Sequence, residues 1–217
     1  MAKNSFTKNL IKLYHKIVNI LSDNNLLNSY NELSDSFKNN RHTLEYSTKS
    51  DTSKILFDTS LSALELYEVL HNANQFNFEF KDGSILLFEC TIEGKSIIKQ
   101  RITYIKPFNG YIRDDHETDT WELYQSSDET TVNLSFPILI RIDYNRNEKN
   151  ADHPLSHLTL SNIKNCRIPI KANLSFDRFV EFILQQIFNI YDLSIPKINQ
   201  EETIRTNEKN MIHLNWI

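Results

Sequence analysis

Between Phe76 and Lys106 the chain alternates apolar and polar residues and reverses direction twice. Phe76, Phe78 and Phe80 share one side, Asp82-Gly83 supplies a hairpin turn, Ser84 to Ile92 runs back, Gly94 turns again, and Ser96 to Lys106 returns. A period of two sends alternate side chains to opposite faces, and turns this short join antiparallel neighbours. The segment therefore imposes an antiparallel meander, and the rest of the chain must be arranged around it.

Helical periodicity surrounds the meander. Phe6, Leu10, Leu13, Ile17 and Ile20 recur at three- and four-residue steps and predict a helix from about Phe6 to Leu21. Leu26, Tyr30, Leu33 and Phe37 predict a second, from Leu26 to Phe37, so that residues 1–40 form an N-terminal helical pair. A third is expected at Leu61 to His71, where Ser62 and Glu65 stand at capping-box spacing, and a last from Ser175 to Tyr191, with Pro196 ending it. Arg41 to Asp58 is polar and ambiguous, with short strands possible at HTLEY and KILF. Pro107 to Thr130 reads as an acidic loop or lid around WELY. Phe136 to Tyr144 resumes as a strand, and His157–Ser161 with Cys166–Ile170 forms a hairpin around Asn162. The expected fold is α+β: an antiparallel sheet of about 6–8 strands in residues 41–196, helices mainly on one side, and the N-terminal helical pair. Residues 197–217 add a polar tether and a strand, MIHLNWI, suited to a sheet edge of this chain or of a partner.

Composition removes several function classes. A chain of 217 residues, 40% hydrophobic, can bury a core, and a net charge of −4 opposes coating of nucleic acid by bulk charge. Three glycines, Gly83, Gly94 and Gly110, are too few and too scattered for a phosphate-cradling loop, which excludes Rossmann and P-loop nucleotide sites. No cofactor is implied. Cys90 and Cys166 lie far apart in apolar runs and read as free thiols. No stretch approaches the ~20 apolar residues of a membrane span, and the N-terminal run is interrupted by Lys, Tyr and His, so the expectation is a cytoplasmic protein without a membrane partner.

One polar face could carry chemistry. In Phe136 to Tyr144, Leu139, Arg141 and Asp143 oppose the apolar side; in the next hairpin His157, Thr159 and Ser161 oppose Leu158 and Leu160, and Arg167 opposes Cys166 and Ile168. If the three strands are neighbours, Arg141, Asp143, His157, Thr159 and Arg167 meet. This is either the solvated face of a half-buried sheet, a protein-binding face, or an anion site in which the arginines hold phosphate and His157 moves a proton. His153 and His157 raise a metal reading that Asp143 or Asp152 would complete, but Pro154 disfavours a helix, and an extended chain separates the two by roughly 13 Å. No nucleophile elbow occurs, and His15, His42, His71 and His213 are scattered on amphipathic elements. His157-Leu158-Thr159-Leu160 resembles the repeated signature of the two-histidine phosphoesterases, although the other copy, at His116, has charges at its apolar positions.

The runs RIDY, HPLSHLTL, NCRIPI and LSFDRFVEFIL resemble an uncharacterised bacterial family, domain of unknown function 2290, over about Pro137 to Phe188. Arg141 and Asp143, His153 and Pro154, Ser156 to Leu158 and Cys166 to Pro169 match its motifs in order. Ser161 stands where the pattern leads one to expect glycine, which reads as a turn without strict backbone demand. The resemblance implies a bacterial or phage-borne protein of a defence-related neighbourhood, with no known activity. The functional expectation is a non-enzymatic accessory subunit of an anti-phage or toxin-type system, bound to a protein encoded nearby. The alternative is a metal-independent phosphodiesterase or ribonuclease using His157 with Arg141 and Arg167 on RNA or another phosphate-containing ligand. A third is nucleic-acid binding without cleavage.

Overall fold

The structure is a computed structural model that describes residues 5–46, 55, 58, 60–107, 138–148, 153–161, 163, 166–171 and 173–197. The acidic loop around WELY, the signature copy at His116, Asp152, Asn162 and the MIHLNWI strand lie outside these residues.

Helix α1 (Ser5–Asp23) matches its periodicity and ends where Asn25 enters the left-handed region at φ 55°. The second member of the expected helical pair is not a helix: Leu26 to Phe37 forms β1 (Leu27–Tyr30) and β2 (Ser34–Lys38). The four-residue recurrence of Leu26, Tyr30 and Leu33 is real, but the residues between are mostly Asn, Ser and Asp, which compete with helical backbone bonds. Pairing decides the outcome: β1 lies antiparallel to β4 (Phe78–Phe80), and β2 returns as β3 (Arg41–Glu45) through Asn39 and Asn40, both at positive φ as a two-residue hairpin turn requires.

Helix α2 (Ala63–Asn72) opens with the expected capping box. Ser62 Oγ accepts from the Glu65 amide at 3.2 Å, and the Glu65 carboxylate accepts from the Ser62 amide at 2.7 Å. The meander continues the chain as β4, β5 (Ile85–Glu93) and β6 (Ser96–Lys106), with Gly83 and Gly94 both at positive φ in the turns. Beyond come β7 (Ile138–Asn145), β8 (Ser156–Leu160), the two-residue β9 (Ile168–Pro169) and α3 (Phe176–Gln186).

Among the described residues all pairings are antiparallel and make one nine-stranded sheet, ordered β1-β4-β5-β6-β7-β8-β9, with β3 beside β4 on the same flank of β5 and β2 outside β3. The strand count exceeds expectation because of β1 and β2. Helices α1 and α3 cover one face, burying Leu13, Ile17, Phe176, Phe179 and Ile183 against Phe78, Phe88, Ile102 and Ile142. Phe176 stacks between Phe88 at 4.5 Å and Tyr14 at 5.9 Å. Each such side chain contributes about 1.5–3 kcal/mol of burial. Helix α2 lies on the opposite face, where Leu66 and Leu70 bury Ile85, Leu87, Ile105 and Leu139. It covers only that end of the face. The other end is polar.

Ser161, just past β8, adopts φ 51°, so the turn does impose a left-handed backbone that glycine would adopt without strain. This overturns the expectation of a permissive turn. Ser161→Gly is expected to raise the unfolding free energy by up to about 1 kcal/mol, read from urea denaturation. A loss of stability would show that the serine side chain outweighs its backbone strain.

Candidate functional site

The three strands expected to bring the polar residues together are adjacent. β7 pairs with β8 so that Arg141 faces Thr159 and Asp143 faces His157, and β8 pairs with β9 so that His157 faces Pro169. On the other side of β7, Arg101 of β6 lies opposite Asp143, and Thr103 opposite Arg141. Parity places all of them on the same sheet face as α2, at the end that the helix does not cover.

Asp143 is the hub. Its Oδ1 accepts from Arg101 Nε at 2.7 Å, its Oδ2 accepts from Arg141 Nε at 2.8 Å, and His157 Nε2 lies 3.7 Å from Oδ2. Arg101 also donates through an end nitrogen to Glu89 of β5 at 3.0 Å. Two guanidinium groups thus balance two carboxylates. Arg101 is 4% exposed and His157 5% exposed, while Asp143, Arg141 and Glu89 are intermediate, so the network is largely but not wholly buried. Burial alone would push the Asp143 carboxyl up, but the charges of Arg101, Arg141 and His157 more than offset it and hold the group below the usual carboxylate range.

His157 is driven the other way. Burial disfavours its cation, and although Asp143 favours it, the neighbouring His153 and Arg167 add to the repulsion, leaving the imidazole at about 4. It is neutral at physiological pH. The ring meets His153 edge to face at 4.7 Å, far closer than an extended chain would allow, because the chain bends at Pro154. His153 Nδ1 donates to the Pro154 carbonyl at 3.1 Å and lies 3.8 Å from a Glu148 oxygen. That carbonyl also attracts the His157 ring weakly, yet His157 Nδ1 makes no well-aligned hydrogen bond. Among the described residues no three His, Cys, Asp or Glu side chains are grouped as a metal site would require.

The remaining expected residues divide. Thr159 is in the cluster, but its hydroxyl donates to the Cys166 carbonyl at 3.1 Å and ties β8 to the chain entering β9. Arg167 is exposed and felt by His157 only through its charge. Sequence reasoning missed Arg101, Glu89, Thr103 and Tyr46. Arg101 sits mid-strand in IIKQRITYI, where a buried arginine needs a carboxylate, and that was its available signal. Tyr46 OH and Thr103 Oγ1 are buried without hydrogen-bond partners, and burial together with the charge of Glu89 pushes the Tyr46 phenol up.

Cys90 is a buried free thiol, pushed up by burial, and Cys166 is free and partly exposed. No described helix is long and apolar enough to cross a membrane.

Fold and site together define an α+β protein with an open antiparallel sheet and a largely buried ion network centred on Asp143 on one face. The sequence pattern of an uncharacterised conserved protein family, domain of unknown function 2290, matches residues 26–216, and the chain belongs to that family. No curated protein and no solved structure matches it.

Proposed function

We propose that this protein acts through contacts with a partner protein and not by catalysis. The observation that carries this reading is the closure of the polar network. Of the two arginines expected to clamp a phosphate, Arg141 is held by Asp143, which also holds Arg101, while Arg167 lies exposed outside these hydrogen bonds; Arg101 is held again by Glu89, and the Thr159 hydroxyl is used within the fold. A phosphate group entering here would have to displace Asp143 from two guanidinium groups at once. With its imidazole held down near 4 by burial, His157 is neutral at physiological pH and poorly suited to act as a general acid toward a leaving group.

The sheet edge supports the same reading. Among the described residues β2 pairs only with β3, and Ser36, Phe37 and Lys38 are exposed there. An extended partner segment could add to such an edge through backbone bonds, with Phe37 as an apolar anchor. A defence-system setting, a partner encoded nearby and a cytoplasmic location belong to this proposal.

Phosphodiester cleavage has one observation in its favour, the convergence of His157, Thr159 and Arg141 on one buried face. A paired experiment separates the readings. The protein is co-expressed with the products of adjacent genes and run on size exclusion at physiological salt, and the purified chain is incubated with single-stranded RNA and a cyclic dinucleotide. A co-eluting complex and no cleavage above the His157→Ala background are expected. A solitary monomer with cleavage that His157→Ala abolishes would replace this reading with the enzymatic one.

A further inference from the structure

Helix α1 carries Lys8, Lys12 and Lys16 at four-residue steps, and all three are exposed. Residues four apart lie on one side of a helix, about 6 Å along its axis, so the three amines form a row about 12 Å long. Between Ser5 and Ser22 the helix has no acidic residue, and Asp23 stands at its far end. None of the three lysines makes an ion pair with a described residue. A carboxylate that does approach this side, Glu32, lies 3.6 Å from His15 Nδ1. The opposite face of α1 is fixed in the core through Leu10, Leu13, Tyr14, Ile17 and Leu21, so the row is held at a set orientation. In a chain of net charge −4 this is a local concentration of positive charge that the fold leaves unneutralised.

The chemistry of the row distinguishes its occupants. A protein hot spot requires apolar or aromatic anchors among the charges, and a membrane surface requires an apolar face on the same side; the exposed stripe of α1 reads Lys8, Asn9, Lys12, His15, Lys16 and Asn19. Flexible point charges spaced along a line, with amides between them, suit a regular line of phosphates. One strand of a duplex presents a phosphate every ~3.4 Å along its axis, so the row spans about three of them. We infer that α1 is a nucleic-acid docking surface that holds the phosphate backbone without reading sequence, separate from the Asp143 network and from the β2 edge. The family's pattern starts at residue 26, beyond α1, so the surface sits on an element that the family pattern does not cover.

The test is fluorescence anisotropy of a labelled 20-base-pair duplex of arbitrary sequence, titrated with the full chain at 25 to 200 mM salt. Three released counterions predict a log–log slope near −2.7 and a loss of about two orders of magnitude in affinity across that range. Lys8→Gln, Lys12→Gln and Lys16→Gln together should abolish binding at 25 mM salt while leaving the melting temperature and the co-elution test unchanged. The inference is overturned if the duplex does not bind at 25 mM salt, if the triple variant binds as wild type, or if polyglutamate or anionic vesicles bind more tightly than the duplex. Should the triple variant melt early, single Lys12→Gln, expected to weaken binding severalfold and to flatten the slope by about one, decides the matter.

Discussion

Asp143→Ala is expected to lower the unfolding free energy by about 3 kcal/mol or more, the largest loss of any polar substitution on this sheet face. The carboxylate accepts from two arginines on neighbouring strands, and its removal takes from Arg101 and Arg141 a charge that helps to offset their desolvation. The loss is a penalty for cations less well compensated and not the net worth of the ion pairs, because desolvation of the charged groups offsets most of their attraction. Two further variants separate these quantities. Asp143→Asn keeps the shape and one acceptor and should fall between wild type and Ala. Arg101→Met, Arg141→Met, Asp143→Leu and Glu89→Met together should recover most of the loss, since all four charges leave at once and an apolar layer of similar volume needs no compensation. Urea denaturation at pH 7 reads all three. A loss under about 1 kcal/mol for Asp143→Ala would mean that water reaches the guanidinium groups, as a phosphate-binding pocket requires and a closed structural network does not.

The sequence exposed those features whose determinants are local. Ser62 and Glu65 form their capping box because both partners lie within one turn of α2, and Gly83 and Gly94 turn the meander because each needs only its own backbone freedom. Alternation placed Arg141, Asp143, His157 and Thr159 on one face, and the β7-β8 pairing brings them opposite one another. What escaped depends on distant partners. Leu26 to Phe37 carries a helical period, but Leu27 finds Phe80 of β4, and tertiary pairing wins over a pattern broken by Asn and Ser. Arg101 could not be assigned to the cluster because its register against Asp143 is set across the long stretch from Lys106 to Ile138, whose sequence gives no turn to count from. Ser161 misled for a related reason: a serine in a glycine's place reports what the sequence tolerates, while the backbone still takes the left-handed conformation.

His157 should make the fold sensitive to mild acid. Its imidazole titrates near 4 in the folded protein against about 6.5 in an unfolded chain, so between these values the unfolded state holds a proton that the folded state lacks. Stability therefore falls as pH drops from about 6.5 to about 4, by about 3 kcal/mol in total, and this contribution stops changing once both states are protonated. Asp143 acts in the same direction at lower pH: its carboxyl is held down by Arg101 and Arg141, so its contribution is present above the ordinary carboxylate range and is lost as the group protonates below it. The two windows can be told apart by replacing the histidine alone. In His157→Gln the dependence between pH 6.5 and 4 should flatten by one proton while the loss at lower pH persists, as measured by urea midpoints from pH 7.0 down into the range below about 3.9 where carboxylates protonate. An unchanged slope in that variant would assign the acid sensitivity to another group and would place His157 in contact with solvent. The same comparison bears on the proposed function, because a histidine kept neutral by burial would first have to gain a proton before it could deliver one to a phosphate ester.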